Sequence, residues 1–152
     1  MNEFDELVQI VKKLREECPW DKEQTHESLS RHLIEEAYEL LDALASIQEK
    51  DSNYAQVKDE LGDLLLQILL HSKIAEEKNH FAIVDVIESL KSKLIERHPH
   101  VFGDVELNSA EEVEKQWETI KQKDGSLSIF DDINSKLPSI TRAFKAQRKA
   151  RK

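Results

Sequence analysis

The sequence predicts an all-α fold of antiparallel helices, and three observations point there. Glycine and proline are scarce, three of each in 152 residues, whereas turn-rich sheets use more of both. Apolar residues recur every three or four positions through five long segments, the period of a helix face. No stretch carries a strand-rich alternating pattern.

The elements follow in order. Phe4, Leu7, Val8, Val11 and Leu14 form a stripe, which predicts a first helix to about Glu17. Cys18-Pro19-Trp20-Asp21 ends it, because Pro19 lacks a donor and restricts Cys18. Trp20 fits two readings there, a hydrophobic plug or a lid over a ligand. A polar stretch from Lys22 to Ser28 leads into a second helix, to about Gln48, with Leu29, Leu33, Ala37, Leu40, Leu41 and Leu44 on its apolar face. Glu49 to Ser52 make a polar turn. The third helix runs from about Asn53 to Lys78, its apolar members being Val57, Leu61, Leu64, Leu65, Ile68, Leu69 and Ile74. The short connection makes these two helices antiparallel neighbours. Gly62 stands inside the third helix at a cost of ~1 kcal/mol against alanine. A close neighbouring backbone would explain it, and so would simple tolerance.

Asn79 to Ala82 turn the chain into a fourth helix, about Ile83 to Glu96, expected to point Val86, Ile87, Leu90 and Leu94 inward. His98 to Asp104 reads as an ordered loop. Its two histidines are spaced as soft-metal ligands can be, but no Cys or third His lies nearby in sequence. Ser109 and Glu112 make a capping box that opens a fifth helix with Val113, Trp117 and Ile120 on one face. Residues 124–135 read as a loop, and Pro138 starts a last, basic helix.

Charge and length narrow the function. A chain of 152 residues suits one domain. The formal net charge is −9, which argues against general nucleic-acid binding. The charge is uneven: residues 136–152 carry seven Lys or Arg and no acid, against 15 basic and 31 acidic side chains before them. That tail either packs on the acidic body, stays solvated or touches phosphate. No apolar run is long enough for a membrane span, and Met1 to Lys13 is unlike a secretory signal. The single cysteine, Cys18, forms no internal disulfide, as suits a reducing cytoplasm. No glycine-rich phosphate loop, Ser/His/Asp arrangement or internal repeat is present.

The chemistry concentrates in the second and third helices. Glu35, Glu36 and Glu39 are followed, after twenty residues, by Glu60 and Asp63. Spacings of three and four put each group on one helix face, and the hairpin brings the two groups opposite one another. Leu64, Leu65 and Leu66 follow Asp63 directly, so the acids border a core. Carboxylates crowded beside a core repel and resist ionisation, and a hard divalent cation, commonly Mg²⁺, resolves the conflict. Solvated outer faces of acidic helices are the other reading of the same spacing. His32 lies one turn before Glu36, within reach of the same place or simply on the helix surface. Lys93 and Arg97, four apart, either answer the C-terminal dipole of the fourth helix or clamp phosphate.

At these residues the chain resembles the MazG family of nucleoside triphosphate pyrophosphohydrolases, in the all-α NTP pyrophosphatase superfamily. The matching segments are CPWDKEQTHESL (18–29), EEAYELLDAL (35–44), DELGDLLLQILLH (59–71), KLIERHPHVFGD (93–104), WETIK (117–121) and LPSITRAFKAQRKA (137–150). Paired EExxE and ExxD are shared across the superfamily, while CPWDxxQTHxSL and RHPHVFGD are far more specific to MazG. The resemblance implies a MazG-like helical bundle, completed by dimerisation, with one such domain over residues 1–152 where many members carry two. It implies hydrolysis of NTPs between the α and β phosphates to NMP and pyrophosphate, with Mg²⁺, or Mn²⁺ in its place. By position, Glu36, Glu39, Glu60 and Asp63 would be the metal ligands. Glu35 would orient or deprotonate the attacking water. Lys93 and Arg97 would hold phosphate oxygens, with Trp117 and Lys121 completing the nucleotide site and His32 adding a basic contact. The implied partners are the nucleotide and a second copy of the chain, with no membrane and no stable nucleic acid. Two other functions share the carboxylates: a pyrophosphatase for one particular nucleotide, and a helical interaction or regulatory module without catalysis.

Overall fold

A computed structural model describes residues 2–47 and 54–123, with positions 139, 142, 143, 146 and 147 beyond them. Seven helices and no strand occur among the described residues: α1 (Glu3–Glu17), α2 (Pro19–Glu23), α3 (His26–Ile47), α4 (Tyr54–Glu77), α5 (Ile83–Arg97), α6 (Pro99–Phe102) and α7 (Ala110–Lys123). The all-α prediction holds. No helix among them is long and apolar enough to cross a membrane. The predicted turn at 49–52, the loop at 124–135 and the helix start at Pro138 lie outside the described residues.

Local chemistry explains each boundary. Asn2 and Asp5 close a capping box on α1: the Asp5 N–H donates to Asn2 Oδ1 at 2.9 Å and the Asn2 N–H to Asp5 Oδ2 at 3.3 Å. Pro19 ends α1 but suits the first position of a new helix, so the expected break contains the short α2. The polar lead-in is therefore shorter than expected, and α3 already starts at His26. At the end of α4, Asn79 adopts φ 57°, a left-handed value that Asn tolerates better than most residues. The His80 N–H then reaches the Ala75 carbonyl and the Asn79 N–H that of Glu76, which satisfies the last carbonyls of α4. Asp85 Oδ2 accepts from the Ala82 N–H at 2.8 Å to start α5.

Two units divide the chain, Met1–Glu88 and Ser89–Lys152, with the boundary inside α5. In the first, Val11 of α1, Leu29 of α3 and Leu69, Leu70 and Ile74 of α4 form the buried core, flanked by Phe4, Leu7, Val8, Leu65, Leu66 and Ile83. Truncating one such buried leucine costs about 2–5 kcal/mol. The α3–α4 pair is antiparallel, since His26 meets His71 at one end and Glu36 meets Glu60 and Asp63 further along.

In the second unit, the Glu112 N–H donates to Ser109 Oγ at 3.2 Å, as the capping box requires. The Glu112 carboxylate reaches back to the Asn108 N–H rather than to that of Ser109. The His98–Asp104 segment contains a helical turn, α6, opened by Pro99.

Burial corrects several sequence expectations. Ile87, Leu90 and Leu94 were expected inward and are 42%, 55% and 46% exposed. Leu41, Leu44, Leu61 and Ile68 are exposed too. Periodicity identifies the apolar face of a helix but not what covers it. Trp20 is 54% exposed and is therefore no plug. A Cβ built on Gly62 meets nothing within 4 Å among the described residues, so no other described element approaches it closely.

Candidate functional site

The first unit gathers acids from α3 and α4. One carboxylate oxygen each from Glu36, Glu60 and Asp63 lies within 4.8 Å of the others. Antiparallel packing makes this possible, because i,i+3 pairs on facing helices present their side chains to one gap. Glu36 and Glu60 are half-buried and Asp63 is exposed. Burial raises the pKa of Glu36 first, and the charges of Asp63, Glu39 and Glu60 raise it further, with His32 pulling the other way. Glu39 thus lies outside the close triad yet near enough for its charge to be felt there. The neighbouring acids make Glu36 harder to ionise, as expected where carboxylates share a place.

Glu35 points elsewhere: its Oε2 sits 3.2 Å from Nδ1 of the half-buried His32. His32 in turn meets Trp20, ring centroids 6.0 Å apart and planes at 70°. The sequence set His32 and Trp20 apart as separate questions. The structure joins them, because the turn at Cys18–Pro19 brings α2 back beside α3. Only the position of CPWD just ahead of α3 hinted at this.

A buried cation anchors that arrangement. Arg15, 8% exposed, donates from Nε to Glu77 Oε1 at 3.0 Å and from Nη2 to Glu77 Oε2 at 2.6 Å. Its Nη1 donates to the carbonyls of Asp21 and Gln24. One guanidinium fork therefore ties α1, the end of α2 and the end of α4 together. Nothing in the spacing of Arg15 marked it out. His26 and His71 form a second tie, with Nδ1 atoms 2.8 Å apart and rings stacked at 2°. Burial, then the charge of His26, lowers the pKa of His71.

The remaining sequence candidates lie in the second unit. Lys93 is exposed and Arg97 half-buried at the end of α5. Trp117 stands on α7, 43% exposed, against the ring of His98. Lys121 belongs to the last turn of α7, and its side chain is outside the described residues.

Residues 24–102 match the MazG nucleotide pyrophosphohydrolase domain, a span that holds all the clustered carboxylates and both α3 and α4. The chain belongs to the MazG family. The membership that CPWDKEQTHESL and KLIERHPHVFGD implied is thereby shown. Similar MazG relatives include the nucleoside triphosphate pyrophosphohydrolase/pyrophosphatase MazG of Thermotoga maritima, 49% identical over 152 residues. The nucleoside triphosphate pyrophosphohydrolase of Escherichia coli K12 is 38% identical over 156 residues. These matches take in 97% and 98% of this chain but 56% and 57% of the relatives, so the chain spans just over half their length. The crystal structure of a MazG-related protein from Thermotoga maritima superposes with a TM-score of 0.64 at 27% identity, covering 78% of this chain and 98% of that one.

Proposed function

We propose that this MazG domain hydrolyses nucleoside triphosphates between the α and β phosphates, releasing NMP and pyrophosphate in a Mg²⁺-dependent reaction. The observation that carries the reading is the convergence of Glu36, Glu60 and Asp63 within 4.8 Å across α3 and α4. An all-carboxylate donor set suits a hard divalent cation, Mg²⁺ or Mn²⁺, over a soft one. The raised pKa of Glu36, set first by burial and then by the neighbouring carboxylates, points the same way, since a cation favours the ionised form of its ligands.

Glu36, Glu39, Glu60 and Asp63 hold the metal in this reading. Bound there, the cation supplies electrophilic stabilisation of negative charge on the phosphates and lowers the pKa of nearby water. Glu35 orients the attacking water and takes its proton, which requires its carboxylate to turn from His32 Nδ1 toward the Glu36, Glu60 and Asp63 cluster. Lys93 and Arg97 bind phosphate oxygens, Trp117 and Lys121 contact the nucleotide, and His32 adds a basic contact. A strongly acidic chain needs such local cations, because its net charge of −9 repels a polyanion. Phosphoryl chemistry of this kind depends mostly on positioning and electrostatics.

A homodimer belongs to the proposal. Ile34, Tyr38 and Leu41 share one face of α3 and are 57%, 61% and 59% exposed on the single chain, an apolar face that a second copy would cover. So does a cytoplasmic setting, where free nucleotides are found.

The deciding experiment measures NMP and pyrophosphate release from the eight common NTPs and dNTPs, with Mg²⁺ and with chelator. Both products in equal amounts, and only with metal, are expected. Release of single phosphate, or turnover unaffected by chelator, overturns the reading.

A further inference from the structure

We infer that His98 is a positioning residue for the nucleotide site: its anchored imidazole holds the Trp117 ring in place. This rests on the proposed contact between Trp117 and the nucleotide.

His98 stands at a corner whose backbone has little freedom. Pro99 follows it, which disfavours helical backbone at His98, and its φ of −125° and ψ of 55° end α5. Its N–H donates to the Ile95 carbonyl, while its own carbonyl accepts from Val101 and Phe102 to start α6. The side chain is fixed as well. Nδ1 lies 2.6 Å from the Leu94 carbonyl oxygen. A carbonyl only accepts, so Nδ1 carries the proton and the ring orientation is set.

The imidazole so fixed faces Trp117 of α7, centroids 5.9 Å apart and planes at 44°. His100 adds a third ring 5.6 Å from His98. Trp117 is 43% exposed, and His98 is the ring that meets its indole among the described residues. Ring–ring contacts at this distance are directional, so His98 fixes how the indole is presented. A stacking surface already held in its bound orientation loses less freedom when a ligand arrives. His98 does this without touching the reacting phosphates, so it governs binding more than the chemical step.

The test is a double-mutant cycle on the full chain, reading kcat and KM for the best NTP with Mg²⁺. His98→Ala is expected to raise KM roughly two- to tenfold, the scale of one ring–ring contact, with kcat changed less than about twofold. Trp117→Ala raises KM at least as much, and the double variant matches Trp117→Ala alone. His98→Phe, which keeps a ring, recovers part of the loss. A second readout needs no turnover. The chain has two tryptophans, so in a Trp20→Phe background the near-UV circular dichroism reports Trp117. His98→Ala flattens that band while the far-UV spectrum stays helical. Additive KM effects, or an unchanged Trp117 band, overturn the inference and leave the nucleotide contact standing. A parent-like KM in Trp117→Ala removes the contact itself, and the inference falls with it.

Discussion

The two ends of α4 treat acidic side chains in opposite ways. At its last turn Glu77 meets the buried Arg15 in a two-point contact, and the hydrogen bond with Arg15 lowers its pKa against the opposing effect of burial. Near the other end Glu60 and Asp63 meet Glu36, and the pKa of Glu36 is raised. One helix thus carries an acid whose charge is answered within the fold and acids whose charges the fold leaves in conflict. The first arrangement holds α1, α2 and α4 together. The second disfavours the charged form of Glu36, and the proposed cation would relieve that conflict.

The largest effect expected from testing this contrast is on activity. Glu60→Gln and Glu39→Gln should each lower pyrophosphate release by about 10²-fold or more, with far-UV circular dichroism and melting temperature close to the parent. Parent-like rates in both variants would sink the claim that these acids hold the metal.

At the answered end the loss should appear in stability. Arg15→Ala removes the fork and is expected to cost about 3 kcal/mol in chemical denaturation. Glu77→Gln keeps the shape and should cost about 1–2 kcal/mol. The pH dependence has a definite sign. The folded-state pKa of Glu77 lies below its unfolded value, so its stabilisation is present above the unfolded carboxylate pKa and fades as pH falls through the folded one. Parent and Glu77→Gln should therefore converge in stability toward acid pH. A gap that stays constant through that range would show that Arg15 does not depend on the carboxylate charge.

Gly62 sharpens the comparison, since it sits between Glu60 and Asp63 with open space where a side chain would go. Gly62→Ala should stabilise the chain by about 1 kcal/mol through helix propensity. A loss of stability instead would mean that a second copy packs closely on that face. The smallest effect is expected at Glu36. In chelator, Glu36→Gln relieves repulsion and should raise stability by on the order of 0.5 kcal/mol. The same variant should lose the rise in melting temperature that Mg²⁺ gives the parent. A Mg²⁺ shift of the same size in Glu36→Gln would separate Glu36 from the metal.

Much of the fold could be read from the residues because helices are local. The stripe from Phe4 to Leu14, the break at Pro19 and the capping pair Ser109 and Glu112 act within a few positions, and the helix ends fall close to where they predict. The apolar faces were legible as faces, but Leu90 and Leu94 were expected inside and are exposed. The candidate site was legible to the extent that spacing three and four survives folding: Glu36, Glu60 and Asp63 meet as the hairpin predicts. The contact of His32 with Trp20 was not legible. It depends on the path of the chain through α2, which no periodicity encodes.

By itself, then, the sequence determined the long helices α1, α3, α4, α5 and α7, their order, the acids on facing stripes and, through CPWDKEQTHESL and KLIERHPHVFGD, the family. These follow from neighbours along the chain or from motifs that are themselves strings. Only the tertiary structure decided which charges are answered. Arg15 and Glu77 are 62 residues apart and reach one another only after α1 packs on α4. Whether an ionisable side chain is satisfied or frustrated depends on distance, burial and partner together, and all three are set when the helices pack.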